Sequence, residues 1–299
     1  MSYESILESM CDRDPNIVVM TAENRAVIRN LPSKLGARFI DVGIAEMTQV
    51  GMAAGLALRG RKPITHALAT FLTLRAFEFI RTDVGIPSLP VKFVGGVAGF
   101  LSEANGPTHQ ALEDIALMRG IPNMRVFCPA DEQELLEALP TFVDCSTPAY
   151  MRFNASAPAV DHTTPFEWGR AEVLAEEGEV AILTYGFLLA QAEDARKRLE
   201  ERGIATRLVN MRTLAPVDKD AILDSARRSR LLLTFEDHFE QGGLYSIVAQ
   251  TLFENRQTTR VVPMGLSERW FKPLKLPGLL AHEGFTGEAL AARIEQEVR

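Results

Sequence analysis

The sequence predicts an α/β fold of two doubly wound, mostly parallel sheet domains. Short apolar runs alternate with helix-period segments from end to end, the pattern of a parallel sheet covered by helices on both faces. Past the middle that alternation stops at Asn154-Ala155-Ser156-Ala157-Pro158, a stretch with no hydrophobic period that continues through Pro165. The length agrees with two domains, because 299 residues stands at the top of the range, roughly 250–300, at which single cores stop growing.

The first domain is assigned to residues 1–158, with strands at 16–21, 38–42, 62–66, 91–95, 124–128 and 149–153. Each is a short apolar run, and turn residues such as Gly95-Gly96 and Cys128-Pro129-Ala130-Asp131 punctuate the strand ends. Helical periods fall between them at 44–58, 70–84, 111–119 and 130–143. Residues 159–170 form the linker, and 171–299 the second domain. There the alternation resumes as strand 180–185, helix 188–201, strand 205–210, helix 219–229, strand 231–235 and helix 243–253. Glu193, Asp194, Arg196, Lys197 and Arg198 alternate in sign on one of these helices and read as its solvated face.

Composition excludes several classes. With 32 basic and 39 acidic side chains the net charge is −7, and no basic run or stripe offers a phosphate backbone its counter-charges, so nucleic acid is not an expected partner. The N-terminal segment has neither a basic leader region nor an apolar span, which predicts a cytoplasmic protein without membrane attachment. Cys11, Cys128 and Cys145 are odd in number and lack metal-site spacing, so they are read as reduced thiols filling the core.

Three segments hold candidate chemistry. In Asp41-Val42-Gly43-Ile44-Ala45-Glu46-Met47 a strand runs into a helix, placing Glu46 in the first turn at the carboxyl edge of the sheet, where ligands of such folds bind. Alone, Glu46 would complement the helix dipole. The loop Gly106-Pro107-Thr108-His109-Gln110 exposes an imidazole that alone reads as a cap or surface group. Phe71, Leu74 and Phe77 recur at helical spacing and alone read as a core stripe.

Taken together the segments say more. In order and spacing, continued by Ile121-Pro122-Asn123-Met124, Pro129-Ala130-Asp131, Tyr150-Met151-Arg152 and Phe235-Glu236-Asp237-His238 before Gly242-Gly243-Leu244, the chain resembles the C-terminal half of transketolases, meaning their pyrimidine-binding and C-terminal domains. The resemblance implies thiamine diphosphate as cofactor and transfer of a two-carbon ketol unit from a ketose, phosphorylated or otherwise anionic, to an aldose. It implies that Glu46 hydrogen-bonds the aminopyrimidine, which requires a carboxyl able to hold or share a proton in a dry pocket. Gly43, Ile44, Phe71, Leu74 and Phe77 match cofactor-binding positions, with Phe71, Leu74 and Phe77 walling in the pyrimidine. His109 matches a histidine that contacts substrate oxygens and relays protons, and Arg152 an arginine that grips a sugar phosphate.

Departures bear on substrate and assembly. Asn105 stands where the family commonly has an aspartate that reads a substrate hydroxyl, Phe77 replaces a frequent tyrosine, and Val97 lies where an upstream loop histidine is often found. Whether His66 replaces that imidazole is left open by the sequence, and Met47 makes the surroundings of Glu46 more apolar. No Gly-Asp-Gly followed by Asn is present to hold Mg²⁺ and the cofactor's diphosphate, so no metal ligand is expected in this chain. The resemblance thus points to a split enzyme: an N-terminal transketolase subunit would carry the diphosphate and metal, in an α2β2 assembly. The same domain pair occurs in 1-deoxyxylulose-5-phosphate synthase and in 2-oxo-acid dehydrogenase beta subunits, which decarboxylate a 2-oxo acid, and a non-catalytic regulatory subunit is a further alternative. Glu236, Asp237 and His238 read as structural, and His162 and His282 have no partners legible in the sequence.

Overall fold

The computed structural model describes residues 1–267 and 269–299. In chain order the first region comprises α1 (Tyr3–Arg13), β1 (Ile17–Thr21), α2 (Leu31–Leu35), β2 (Phe39–Asp41), α3 (Glu46–Leu58), β3 (Lys62–Leu68), α4 (Phe77–Phe79), β4 (Lys92–Gly96), α5 (Asp114–Arg119), β5 (Arg125–Phe127), α6 (Glu132–Val143) and β6 (Ala149–Arg152). The second comprises β7 (Glu172–Ala175), β8 (Val180–Thr184), α7 (Leu189–Glu201), β9 (Thr206–Asn210), β10 (Thr213–Ala215), α8 (Lys219–Arg228), β11 (Leu231–Phe239), α9 (Leu244–Glu254), β12 (Arg260–Leu266), α10 (Leu276–Glu283) and α11 (Gly287–Val298).

The first sheet has the order β10-β5-β6-β4-β3-β1-β2 and the second β12-β11-β8-β9-β7. Pairing is parallel throughout except at two edges, where β10 runs antiparallel to β5 and β7 antiparallel to β9. The apolar runs read from the sequence are these strands; β1, β8 and β9 are buried along their whole length, as continuous apolar runs between two helical layers require. Helix starts follow their capping chemistry: the Asp131 carboxylate accepts the Glu134 N–H at α6, and the Asp218 carboxylate the Ala221 N–H at α8.

Several elements depart from expectation. The helix expected over 70–84 is not a single α-helix: wide π-type turns over Phe71–Arg75 and Ile80–Gly85 flank the short α4. The Ala76 N–H reaches five residues back to the Phe71 carbonyl at 3.3 Å, and Thr73 and Thr82 hydroxyls bond the Ala69 and Glu78 carbonyls at 2.7 and 2.8 Å. Such competition for carbonyls loosens the α ladder. The helix expected to begin at 111 begins at Asp114, because the preceding residues close a loop. α1, α2, β7, β10, β12, α10 and α11 were not expected from the sequence, and β10 crosses the domain division by adding a second-domain strand to the first sheet.

The expected linker is tied down. His162 lies buried between two carboxylates, its Nε2 2.9 Å from Asp131 Oδ2 and its Nδ1 2.6 Å from Glu172 Oε2. Arg212 pairs with Glu134 at 3.0 Å and Glu172 at 3.1 Å, so two cations and three carboxylates join α6, the linker, β7 and the turn after β9. Burial pulls the imidazole down, but hydrogen bonds to Asp131 and Glu172 outweigh it and raise its pKa from 6.5 to about 10. A histidine with a raised folded-state pKa contributes stability that is complete below its unfolded value and is lost as pH rises through the folded one. Melting temperature should therefore fall between pH 7 and 10 more steeply in the native chain than in His162→Gln; parallel profiles would disprove the coupling.

The three cysteines are free, Cys11 and Cys128 buried and Cys145 half-buried. No helix among the described residues is long and apolar enough to cross a membrane. Glu236, Asp237 and His238 lie buried inside β11. Glu236 accepts the Leu244 and Tyr245 N–H groups at 2.6 and 2.8 Å, capping α9, and His238 Nε2 accepts the Ala116 N–H at 3.3 Å.

Candidate active site

The site begins at a turn that only a small residue takes easily. β2 ends at Asp41, whose side chain accepts the Gly43 N–H at 2.9 Å, and Gly43 turns with φ +71° so that α3 can start at Glu46. The Glu46 side chain points inward and the residue is 2% exposed. It borders a cleft of about 210 Å³ together with Ala22, the exposed Glu23, Asn24, Ile44, Leu68 and Phe71. Ala22 and Asn24 follow β1 and Leu68 ends β3, so the cleft opens at the carboxyl edge of the sheet.

One residue missed in the sequence reading completes this corner. Arg75 donates through Nη1 to Glu46 Oε2 at 3.1 Å, and its guanidinium lies 4.3 Å from the centroid of the Phe71 ring. The widened turn carries Arg75 back over Phe71; an arginine four residues beyond an aromatic was the available signal. The edge of the chain of contacts continues to His109, whose ring meets Phe71 in a T-shaped arrangement at 5.1 Å. Thr108 Oγ1 lies 2.9 Å from His109 Nδ1, which leaves Nε2 without a partner among the described residues.

Of the expected site residues, the structure thus brings together Gly43, Ile44, Glu46, Phe71 and His109. Leu74 is exposed and Phe77 packs against the core, so neither lines the cleft in this chain. Asn105 is exposed at the end of the helical turns Gly99–Asn105, on the loop that leads to His109. Val97 and Glu103 in that loop hold φ of +49° and +46°, strained values for side chains with a Cβ.

The packing decides two further points, the first of them a correction. Arg152 is 6% exposed and all three of its guanidinium nitrogens are engaged: Nε with Asp114 Oδ2 at 2.9 Å, Nη1 with Asp237 Oδ1 at 2.8 Å, and Nη2 with the Ala111 carbonyl at 3.2 Å. A guanidinium so placed has no free edge for a sugar phosphate. His66 does not replace a loop imidazole; it is buried in β3, with Nε2 2.8 Å from the Tyr3 hydroxyl and Nδ1 3.2 Å from the Met20 carbonyl. Burial lowers its pKa to about 4, which keeps it a neutral core residue at physiological pH.

The mostly apolar cleft with one buried carboxyl and one aromatic wall suits a flat heterocycle carrying a ring nitrogen. Among the described residues, the group of potential ligands close enough to share an ion is Glu134, His162 and Glu172, which belongs to the linker cluster rather than to the cleft.

Residues 1–158 match the transketolase pyrimidine-binding domain and residues 169–290 the transketolase C-terminal domain. The chain is 35% identical over 259 residues to the 6-deoxy-6-sulfo-D-fructose transketolase subunit of a Clostridium species, covering 85% of this chain and 80% of that one. It is 36% identical over 297 residues to a Synechococcus 1-deoxy-D-xylulose-5-phosphate synthase, covering 97% of this chain but 46% of the relative, so it spans about half the length of that enzyme. Among solved structures, a split-gene transketolase in an inactive β4 tetramer superposes with a TM-score of 0.88 at 35% identity, covering 98% of this chain and 96% of the other. The chain belongs to the transketolase family. Within it the chain is a transketolase-type transferase subunit, made of the family's pyrimidine-binding and C-terminal domains.

Proposed function

We propose that the chain is one subunit of a split cytoplasmic transketolase that moves a two-carbon ketol unit from a ketose with a phosphate or other anionic end to an aldose. The observation that carries this reading is the buried Glu46 carboxyl at the mouth of an apolar cleft, with His109 reached through a single aromatic ring. Thiamine diphosphate, when bound, supplies the electron sink for the two-carbon unit. Glu46 holds or shares a proton with the cofactor's pyrimidine ring, and Phe71 and Ile44 exclude water around that proton. Arg75 is the adjustable partner: its side chain is 43% exposed, so it can leave Glu46 when the heterocycle enters. His109, oriented through Nδ1 by Thr108, presents Nε2 to substrate oxygens. Exposed Asn105 both donates and accepts, and it replaces an acceptor-only carboxylate in sugar recognition. With Arg152 committed to two aspartates, other groups bind the anionic end of the sugar.

A partner is part of this reading. Ile44 (70%) and Met47 (41%) are exposed beside Glu46, and Leu74 in the π-type turn Phe71–Arg75 and Phe79 in α4 are exposed on the segment packed next to α3. Large apolar side chains around a site mouth suit a protein surface. An N-terminal transketolase subunit covers them, holding Mg²⁺ and the cofactor's diphosphate, in an α2β2 tetramer. The test is co-expression with such a subunit, followed by thiamine diphosphate binding and an assay of ketol transfer across ketoses and aldoses, sulfonated and phosphorylated ones included. Cofactor binding only in the complex, with ketol transfer, is the expected result. The likeness to the Synechococcus synthase supports one second reading. Release of CO2 from pyruvate without ketol transfer would establish that reading instead.

A further inference from the structure

We propose that the second domain acts on the reaction through Asp237, a positioning residue that fixes the loop carrying Asn105 and His109. The inference rests on the reading of those two residues as substrate contacts.

The loop leaves β4 after Gly96 and returns to the fold at Asp114. Its base closes on itself, the Gly99 N–H donating to the Ala111 carbonyl at 3.0 Å. Both limbs of that base are then held from outside. On the outgoing limb the Phe100 N–H donates to Asp237 Oδ2 at 3.2 Å, and a Cβ on Gly99, whose φ is +56°, would fall 1.7 Å from the same oxygen. The backbone therefore passes directly across the carboxylate. On the returning limb Arg152 Nη2 donates to the Ala111 carbonyl at 3.2 Å, while Arg152 Nη1 donates to Asp237 Oδ1 at 2.8 Å. One carboxylate thus binds the outgoing limb directly and orients the guanidinium that binds the returning limb. Phe100 adds an apolar seat, meeting Phe271 at 5.3 Å and Phe285 at 5.2 Å, both from the second domain.

The Glu46 cleft shares none of these contacts at the base of the loop: it is lined by residues after β1, the end of β3, the turn into α3 and Phe71, and meets the loop where Phe71 touches His109. Asp237 should consequently govern sugar binding and spare cofactor binding. Asparagine has the shape of aspartate but only one acceptor oxygen, so Asp237→Asn confronts either the Phe100 N–H or Arg152 Nη1 with a second donor. Displacement of a substrate-binding group by about 1 Å can cost as much as 10²-fold.

The first test uses the full chain and needs no activity: amide hydrogen exchange, read over residues 97–112 and over the cleft. Asp237→Asn is expected to speed exchange at Phe100 and its loop neighbours and to leave α3 unchanged, and Phe285→Leu to do the same more weakly without altering a buried charge. Unchanged loop exchange in both variants overturns the proposal, whatever the protein catalyses. The second test uses the complex with its partner. KM for the sugar should rise about tenfold or more with the thiamine diphosphate Kd unchanged. A fall in kcat at constant KM, the mark of mere loss of folded protein, also overturns it. Absence of ketol transfer by the native complex would instead strike at the transketolase reading on which the substrate role rests.

Discussion

Glu46→Gln is expected to lower ketol transfer by the assembled enzyme by about 10²–10⁴-fold, the usual worth of a positioned acid or base, while leaving the chain folded. The amide fills the same volume in the cleft and can still accept from Arg75, so packing around Ile44 and Phe71 is kept. What it loses is the ability to hold and release a proton. The stability cost should be small, about 0–1 kcal/mol, because the ion pair has one partner that is 43% exposed. Paired measurements of turnover and thermal melting check both halves of the expectation. A folded variant with native turnover would remove Glu46 from the mechanism.

Arg152→Met is expected to destabilise the chain by about 3–5 kcal/mol, the cost of leaving buried charges without their partner. Asp114 and Asp237 are both fully buried, and Arg152 pairs with each at under 3 Å. The Tyr150 hydroxyl, which donates to Asp114 Oδ2 at 2.6 Å, and the Tyr185 ring, 5.6 Å from the guanidinium, stand in the same network. Burial raises the Asp237 carboxyl against the pull of Arg152, so removing the arginine drives that carboxyl further towards its protonated form. Chemical denaturation reads the loss directly. Adding Asp114→Asn and Asp237→Asn to Arg152→Met should restore part of it, since the stranded charges go with the cation that balanced them. A merely phosphate-gripping arginine would behave otherwise: its loss would leave stability within about 1 kcal/mol and raise KM for anionic sugars alone.

These two residues show where sequence reading ends. Glu46 was legible because its surroundings are local: Gly43 turns the chain, Asp41 holds the turn, and α3 begins within five residues. The parallel strands were legible for the same reason, as apolar runs such as Ile17–Thr21 and Val180–Thr184 are properties of consecutive residues. α1 was also legible in principle, since Tyr3, Leu7, Met10 and Cys11 are buried at helical spacing. Motif order carried the family, and with it Phe71 and His109 as neighbours of Glu46.

The same motif reasoning misplaced Arg152, did not find the buried place of His66, and left His162 without partners. Asp237 lies 85 residues from Arg152, and Tyr3 lies 63 residues from His66. Only tertiary packing, between the two domains for Arg152 and within the first for His66, decides which groups meet. The π-type turns that bring Arg75 over Phe71, and the entry of β10 into the first sheet, are likewise decided by competition among distant partners. The sequence by itself determined the two α/β layers, the turn that buries Glu46 and the family to which both belong, because each depends on residues near one another in the chain. Tertiary structure alone decided that Arg152 joins Asp114 to Asp237 across the domain interface and that Asp237 holds the Phe100 backbone, because a buried charge takes whichever opposite charge the fold delivers to it.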